Sequence, residues 1–171
     1  MKNNITNIQL VLLDVDGVLT DGSIIYSDSG EQIKKFNSRD GLGIRLLMDA
    51  DIKVGIVTGR VSNALHHRCK NLSIDLIFDG IKDKAAVLSS VEDRTGIKPD
   101  EIGFIGDDLI DLPIMRRVGT SFCVSDACDE VKQEAFFISH LPGGKGAVRE
   151  ICEYILKEKG LWENALNRFL S

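Results

Sequence analysis

The chain has 171 residues, 43% hydrophobic and 27% charged, and its 26 Asp and Glu outweigh 21 Lys and Arg to give a net charge of −5. That is the size and mixture of a single globular domain, too apolar to stay disordered, and its acidic balance disfavours a general nucleic-acid binder. No apolar run reaches the roughly 20 residues a membrane span needs and residues 1–8 lack a signal peptide's apolar stretch, so a soluble cytoplasmic protein without membrane or nucleic-acid partners is expected.

Residues 8–13 (IQLVLL) are a continuous apolar run of strand length, the pattern of a strand covered on both faces. Residues 23–26 (SIIY) and 31–36 (EQIKKF) flank Ser27-Asp28-Ser29-Gly30 and predict a β-hairpin over about 23–36. Then follow a helix over 41–50, a strand over 53–57, a helix over 62–71, a strand over 75–78, a helix over 83–95, a strand over 102–105, a helix over 109–118 and a strand over 121–124. Beyond Pro142 a last helix, over 146–159, leads into a tail that runs to 171. Strands alternating with helices predict an α/β fold, a doubly wound Rossmann-like parallel sheet with helices on both faces. No repeat, low-complexity tract or linker interrupts it, so residues 1–171 are expected to form one domain.

Cys69, Cys123, Cys128 and Cys152 show no C-x-x-C spacing, which predicts reduced packing thiols and no zinc site. His66, His67 and His140 have no partner at local spacing and are expected to be bystanders.

The chemistry is expected at the carboxyl ends of the strands, where open parallel sheets bind ligands. Asp14-Val15-Asp16-Gly17-Val18-Leu19-Thr20 follows the first strand, Thr58-Gly59-Arg60 the next in the sheet, and Gly106-Asp107-Asp108-Leu109-Ile110-Asp111 a later one. Lys84 stands just beyond Phe78-Asp79-Gly80. Asp14, Asp16, Asp107, Asp108 and Asp111 cannot all ionise near one point uncompensated. Lys84 supplies one positive charge, and a hard divalent cation with oxygen ligands, Mg²⁺, supplies two. A phosphate dianion is then attracted. Asp14 suits a nucleophile towards phosphorus, Asp16 a proton donor to the leaving alkoxide, and the Thr58 hydroxyl a partner for phosphoryl oxygens. An EF-hand is excluded, because the sixth loop position is not Gly and the bidentate Glu is missing. Asp108 also suits a helix cap, and Gly143-Gly144-Lys145-Gly146 lacks P-loop spacing and predicts a helix-entry turn.

D-V-D-G-V-L-T, Thr58, Lys84 and G-D-D-L-I-D together resemble the four motifs of the haloacid dehalogenase superfamily. The resemblance implies Asp14 as nucleophile and Asp16 as general acid/base. It implies a metal held by Asp14, the backbone carbonyl of Asp16, and Asp107, with Asp108 and Asp111 standing behind these ligands. Neither gap between motifs, residues 20–57 or 59–83, holds a cap domain. A capless site opens to water, so either its substrate is a macromolecule or a neighbouring subunit closes it. The hairpin suits a subunit contact, because an isolated two-stranded ribbon is marginal.

Phe36-Asn37-Ser38-Arg39-Asp40-Gly41, Gly43-Ile44-Arg45, Thr58-Gly59-Arg60, Arg68 and residues 143–150 (GGKGAVRE) are similar to the superfamily's 3-deoxy-D-manno-octulosonate 8-phosphate phosphatases. The resemblance implies a homotetramer built through the hairpins, and a sugar acid phosphate substrate on the route to lipopolysaccharide. It assigns substrate contacts to Asp16, Asn37, Ser38, Arg39, Asp40, Gly41, Arg45, Arg60, Arg68 and Lys84. Ser38 replaces an expected hydrophobic residue, and the tail from Gly160 departs from the family pattern. Arginines that hold a carboxylate bidentately suit an acidic sugar, and they fit a nine-carbon sialic-type acid 9-phosphate as well. A non-catalytic scaffold is the reading from another class; it has no need of the intact Asp14, Asp16, Lys84 and Asp107.

Overall fold

The computed structural model describes residues 5–170; residues 1–4 of the amino-terminal segment and Ser171 of the tail lie outside the described residues. A six-stranded sheet is built from β1 (Leu10–Leu13), β4 (Lys53–Val57), β5 (Leu76–Phe78), β6 (Ile102–Gly106), β7 (Thr120–Cys123) and β8 (Phe137–Ile138). Its order is β5-β4-β1-β6-β7-β8, and every pairing is parallel. The hairpin is a separate two-stranded ribbon of β2 (Ile25–Tyr26) and β3 (Gln32–Ile33).

All four residues of β1 are buried, as a strand with neighbours on both edges and helices around the sheet requires. From β1 the chain runs outward through β4 and β5 on one side, then returns to build β6, β7 and β8 on the other. The strand order therefore reverses at β1, so the ligand position of such open sheets falls at the carboxyl ends of β1, β4 and β6.

The helices are α1 (Ser38–Asp49), α2 (Asn63–Leu72), α3 (Val87–Thr95), α4 (Leu112–Met115), α5 (Asp129–Glu134), α6 (Ala147–Glu158) and α7 (Trp162–Asn167). Asn37 begins α1 by accepting the Arg39 N–H at 2.8 Å. Helix α1 lies against α6, and Gly43 permits the approach, since a Cβ there would come 2.9 Å from the Arg149 Cα. Ser73 at φ +61° and Gly96 at φ +73° end α2 and α3 in the left-handed conformation.

The structure refines several boundaries. The hairpin strands are two residues each, shorter than 23–26 and 31–36, because nothing beside the ribbon in this chain extends the ladder. The helix expected over 109–118 splits into a 3-10 turn (Leu109–Asp111) and short α4, with Pro113 at the start of the new turn. Helix α5, strand β8 and helix α7 were not foreseen as separate elements. All four cysteines are free, and Cys69, Cys123 and Cys152 are buried with thiol pKa values pushed up by burial.

Candidate active site

The loop after β1 winds around a single carbonyl. The N–H groups of Val18, Leu19 and Thr20 all donate to the Val15 oxygen, at 3.3, 2.9 and 3.0 Å. Asp14 continues the β1 ladder, its N–H donating to the Ile105 carbonyl at 3.0 Å, and its side chain is buried. Gly17 has φ +92°, and a Cβ there would lie 1.9 Å from Asp107 Oδ2. A residue without a side chain is thus required for the β6 loop to close on the β1 loop.

A buried network joins three of the sequence segments. Lys84 follows Asp83, whose side chain caps the 3-10 turn Lys84–Ala86 by accepting the Ala85 N–H. Lys84 Nζ donates to Asp14 Oδ1 at 2.9 Å and to Asp111 Oδ1 at 2.5 Å. The other oxygen of Asp111 accepts the N–H groups of Asp107 at 2.9 Å and Asp108 at 3.4 Å. Both Asp111 oxygens are therefore committed within the chain, and this carboxylate holds the β6 loop and orients Lys84.

Asp14, Asp107 and Asp111 each offer an oxygen within 4.8 Å of the others. Burial, then the Asp111 charge, raises the Asp14 pKa to about 6. Burial, then the charges of Asp14 and Asp111, raises that of Asp107 to about 8. Burial alone would lower Lys84, but Asp14 and Asp111 outweigh it and the net shift is upward. Asp107 Oδ1 is buried and has no hydrogen-bond partner. An oxygen left in this condition beside other carboxylates is fitted to a hard cation. With Asp111 committed elsewhere, Asp14 and Asp107 are the side chains that would take it.

Thr58 is buried at the end of β4, its N–H bonded to the Phe78 carbonyl at 2.9 Å and its carbonyl accepting from Ile81 at 3.0 Å. Asp16 stands at the rim with its side chain 21% exposed. It pairs with Lys34, and Arg60 Nε approaches it at 3.8 Å. Lys34 was missed by sequence reasoning. The signal was the period of two in the hairpin, which turns Ile33 outward and Lys34 the other way.

The remaining expected residues fall into two groups. Asn37, Asp40, Gly41, Arg45 and Arg68 are engaged with their own fold. Arg68 Nη2 donates to the Asn37 carbonyl at 3.1 Å, Arg45 Nη2 to the Asn71 carbonyl at 2.8 Å, and Asp40 Oδ1 accepts the Arg149 N–H at 2.9 Å. A Cβ at Gly41 would collide with the Arg68 guanidinium at 2.2 Å. Ser38, Arg39 and Arg60 are exposed. Asp108 turns its side chain back to cap its own turn, accepting the Leu109 N–H at 2.8 Å, and its charge also raises the neighbouring Asp107. Two histidines do have partners, distant in sequence: His66 meets Asp79 at 2.6 Å and His140 meets Glu150 at 2.6 Å.

A concavity of about 530 Å³ lies at the other edge of the sheet, by the first residues of β4 and β5.

Residues 68–150 match the family of haloacid dehalogenase-like hydrolases, a span that includes Lys84 and the β6 loop. The chain is 42% identical to the 3-deoxy-D-manno-octulosonate 8-phosphate phosphatase of Salmonella typhi, over 93% of this chain and 85% of that protein. It superposes on the cobalt-bound form of the deoxy-D-mannose-octulosonate 8-phosphate phosphatase from Haemophilus influenzae with a TM-score of 0.89 at 44% identity, covering 92% of each chain. The Moraxella catarrhalis phosphatase, solved with magnesium, phosphate and a KDO molecule, gives a TM-score of 0.93 at 38% identity over 96% of this chain and 95% of that one. With this identity along nearly the whole length, and with the carboxylate and lysine network in place, the chain belongs to the 3-deoxy-D-manno-octulosonate 8-phosphate phosphatase family of haloacid dehalogenase-like hydrolases.

Proposed function

We propose that this protein is a Mg²⁺-dependent phosphomonoesterase that hydrolyses 3-deoxy-D-manno-octulosonate 8-phosphate to the free sugar acid and phosphate, in the cytoplasm, as a step towards lipopolysaccharide. The observation that carries this is the buried Asp14–Lys84–Asp111 network beside the unpartnered Asp107 oxygen. Such an arrangement presents one carboxylate for attack and reserves another for a cation.

Asp14, Asp107 and the backbone carbonyl of Asp16 would hold the Mg²⁺, which would supply charge neutralisation for an approaching phosphate dianion. An Asp14 carboxylate oxygen attacks phosphorus as the bond to the sugar oxygen breaks, leaving an aspartyl-phosphate. Asp16 gives its proton to the departing sugar oxygen. Asp16 then takes a proton from water, whose oxygen attacks the phosphorus, and Asp14 and inorganic phosphate are released. Lys84 keeps Asp14 oriented and balances part of its charge, while Lys34 and Arg60 hold the Asp16 carboxylate. Thr58 and its neighbouring N–H groups take the phosphoryl oxygens.

The sugar acid is held by Ser38 and Arg39 at the exposed start of α1 and by Arg60. Asn37, Asp40, Gly41, Arg45 and Arg68 brace that wall from behind. A homotetramer completes the site. Ile24, Ile25, Tyr26 and Ile33 of the hairpin are 45–62% exposed, an apolar surface suited to burial against copies of itself.

Phosphate release tests the reading. With Mg²⁺ present, the eight-carbon substrate is expected to be cleaved far faster than hexose phosphates. Preference for a nine-carbon sugar acid phosphate would overturn the substrate, and Mg²⁺-independent or absent release would overturn the chemistry.

A further inference from the structure

Glu150 lies in the first turn of α6, and the reaction above assigns it nothing. Its carboxylate is nonetheless wrapped by one short stretch of chain. Oε2 accepts from the Ser139 hydroxyl at 2.5 Å and from the His140 N–H at 2.8 Å, while Oε1 meets His140 Nδ1 at 2.6 Å. The Ser139 oxygen in turn accepts the Leu141 N–H at 3.0 Å. These bonds outweigh the cost of partial burial and hold the Glu150 carboxyl below its ordinary value.

The stretch held in this way leads into Pro142-Gly143-Gly144, which lies directly on the loop that bears the nucleophile. The Gly144 N–H donates to the Val18 carbonyl at 3.0 Å. A Cβ on Gly143 would stand 1.7 Å from the Gly17 carbonyl oxygen, so the two backbones are in contact with no room for a methyl group. The same strap is fixed sideways, Gly143 N–H donating to Asp126 Oδ1 at 2.9 Å and the Leu141 carbonyl accepting from Ser125 at 3.1 Å. Asn37 Nδ2 reaches the Gly144 carbonyl at 3.3 Å, which joins the start of α1 to the same point.

We infer that Glu150 is a positioning residue for the reaction: by clamping residues 139–141 it seats Gly143 and Gly144 against Gly17 and Val18 and so fixes the loop that carries Asp14 and Asp16. This rests on the phosphatase reading given above. A loop pressed backbone to backbone against the nucleophile segment has no side-chain slack to absorb a shift. Loss of the clamp therefore moves the reacting carboxylates, and displacements of about 1 Å cost up to roughly 100-fold in rate.

The test is a double-mutant cycle on the 171-residue chain with p-nitrophenyl phosphate and Mg²⁺, with kcat, KM and thermal unfolding measured for each protein. Glu150→Ala is expected to lower kcat by about 10- to 100-fold with KM changed less than about twofold. Glu150→Gln, which keeps one accepting oxygen and the side-chain shape, is expected to recover part of that loss and covers the case in which the alanine variant does not fold. Gly143→Ala pushes the strap off Gly17 directly and is expected to lower kcat similarly. If both act through one contact, the double variant is no slower than the slower single one. A lower Tm with unchanged kcat in the Glu150 variants would overturn the inference, as would multiplicative losses in the cycle. A wild-type protein that releases no phosphate from any ester would instead remove the phosphatase reading, and this inference with it.

Discussion

The acid cluster and the hairpin are built on opposite principles. At the cluster, Asp14, Lys84 and Asp111 are nearly free of solvent and their contacts close within the chain, apart from one oxygen of Asp107. In the hairpin, strands of two residues carry half-exposed isoleucines and a tyrosine, and only Lys34 reaches inward to bond with the catalytic loop. The first region needs one small cation to be complete. The second needs area, which one chain cannot supply, since a lone two-stranded ribbon is marginal in water. The charged network is thus closed within one chain, while the apolar side of the ribbon is left open.

Substitutions that separate the two regions test this contrast. Asp14→Asn is expected to cut phosphate release by at least about 10⁴-fold, while the hydrodynamic size and secondary structure stay unchanged. Substantial residual turnover would show that another group attacks phosphorus. Lys84→Met leaves two buried carboxylates without their shared cation, which costs about 3–5 kcal/mol and lowers Tm by roughly 10 °C in a chain this long. A Tm within a degree or two of wild type would mean that the network is not a stabilising unit.

Charging the hairpin, as Ile25→Asp with Ile33→Asp, should break assembly without touching the cluster. Light scattering is expected to report a monomer in place of a tetramer, with Mg²⁺ affinity within about twofold of wild type. An unchanged mass would remove the hairpin as the contact.

The gentlest test uses pH. With Asp107 raised to about 8 and Asp14 to about 6, a dication must displace protons, so Mg²⁺ affinity should rise by up to about tenfold per pH unit between 6 and 8. Without the metal the folded state holds protons that the unfolded chain has already lost above its ordinary carboxyl range. Stability should therefore be greatest at the low end of the window from about 4 to 8 and fall as pH rises towards 8. Saturating Mg²⁺ should flatten that slope, and an equal slope with and without Mg²⁺ would detach these carboxylates from the cation.

The contrast also explains what could be read from the sequence. Asp14, Thr58 and Asp107 were legible because each follows an apolar run, and parallel strands bring such positions to one edge. Lys84 was legible through the spacing of the motif set. Lys34 was not, because the ribbon's period of two separates Lys34 from Ile33 but does not say which of the two faces meets the catalytic loop. The partners of His66 and His140 stand 13 and 10 residues away, beyond any local spacing rule. Strand β8 was hidden for another reason: two residues carry no period, and only pairing with β7 gives them their conformation. Among the arginines, sequence chemistry spoke for charge but not for direction, and Arg45 and Arg68 spend theirs on backbone carbonyls.

The burial of Lys84 has a practical consequence. Its ammonium is 1% exposed and held between two carboxylates, so acylating reagents and acetylating enzymes cannot reach it in the folded protein. Amine-labelling experiments should find it silent at every concentration that leaves the fold intact. Loss of activity on such treatment would then have to arise from a more accessible lysine. The charge balance of the reacting centre is, in this sense, sealed against covalent control.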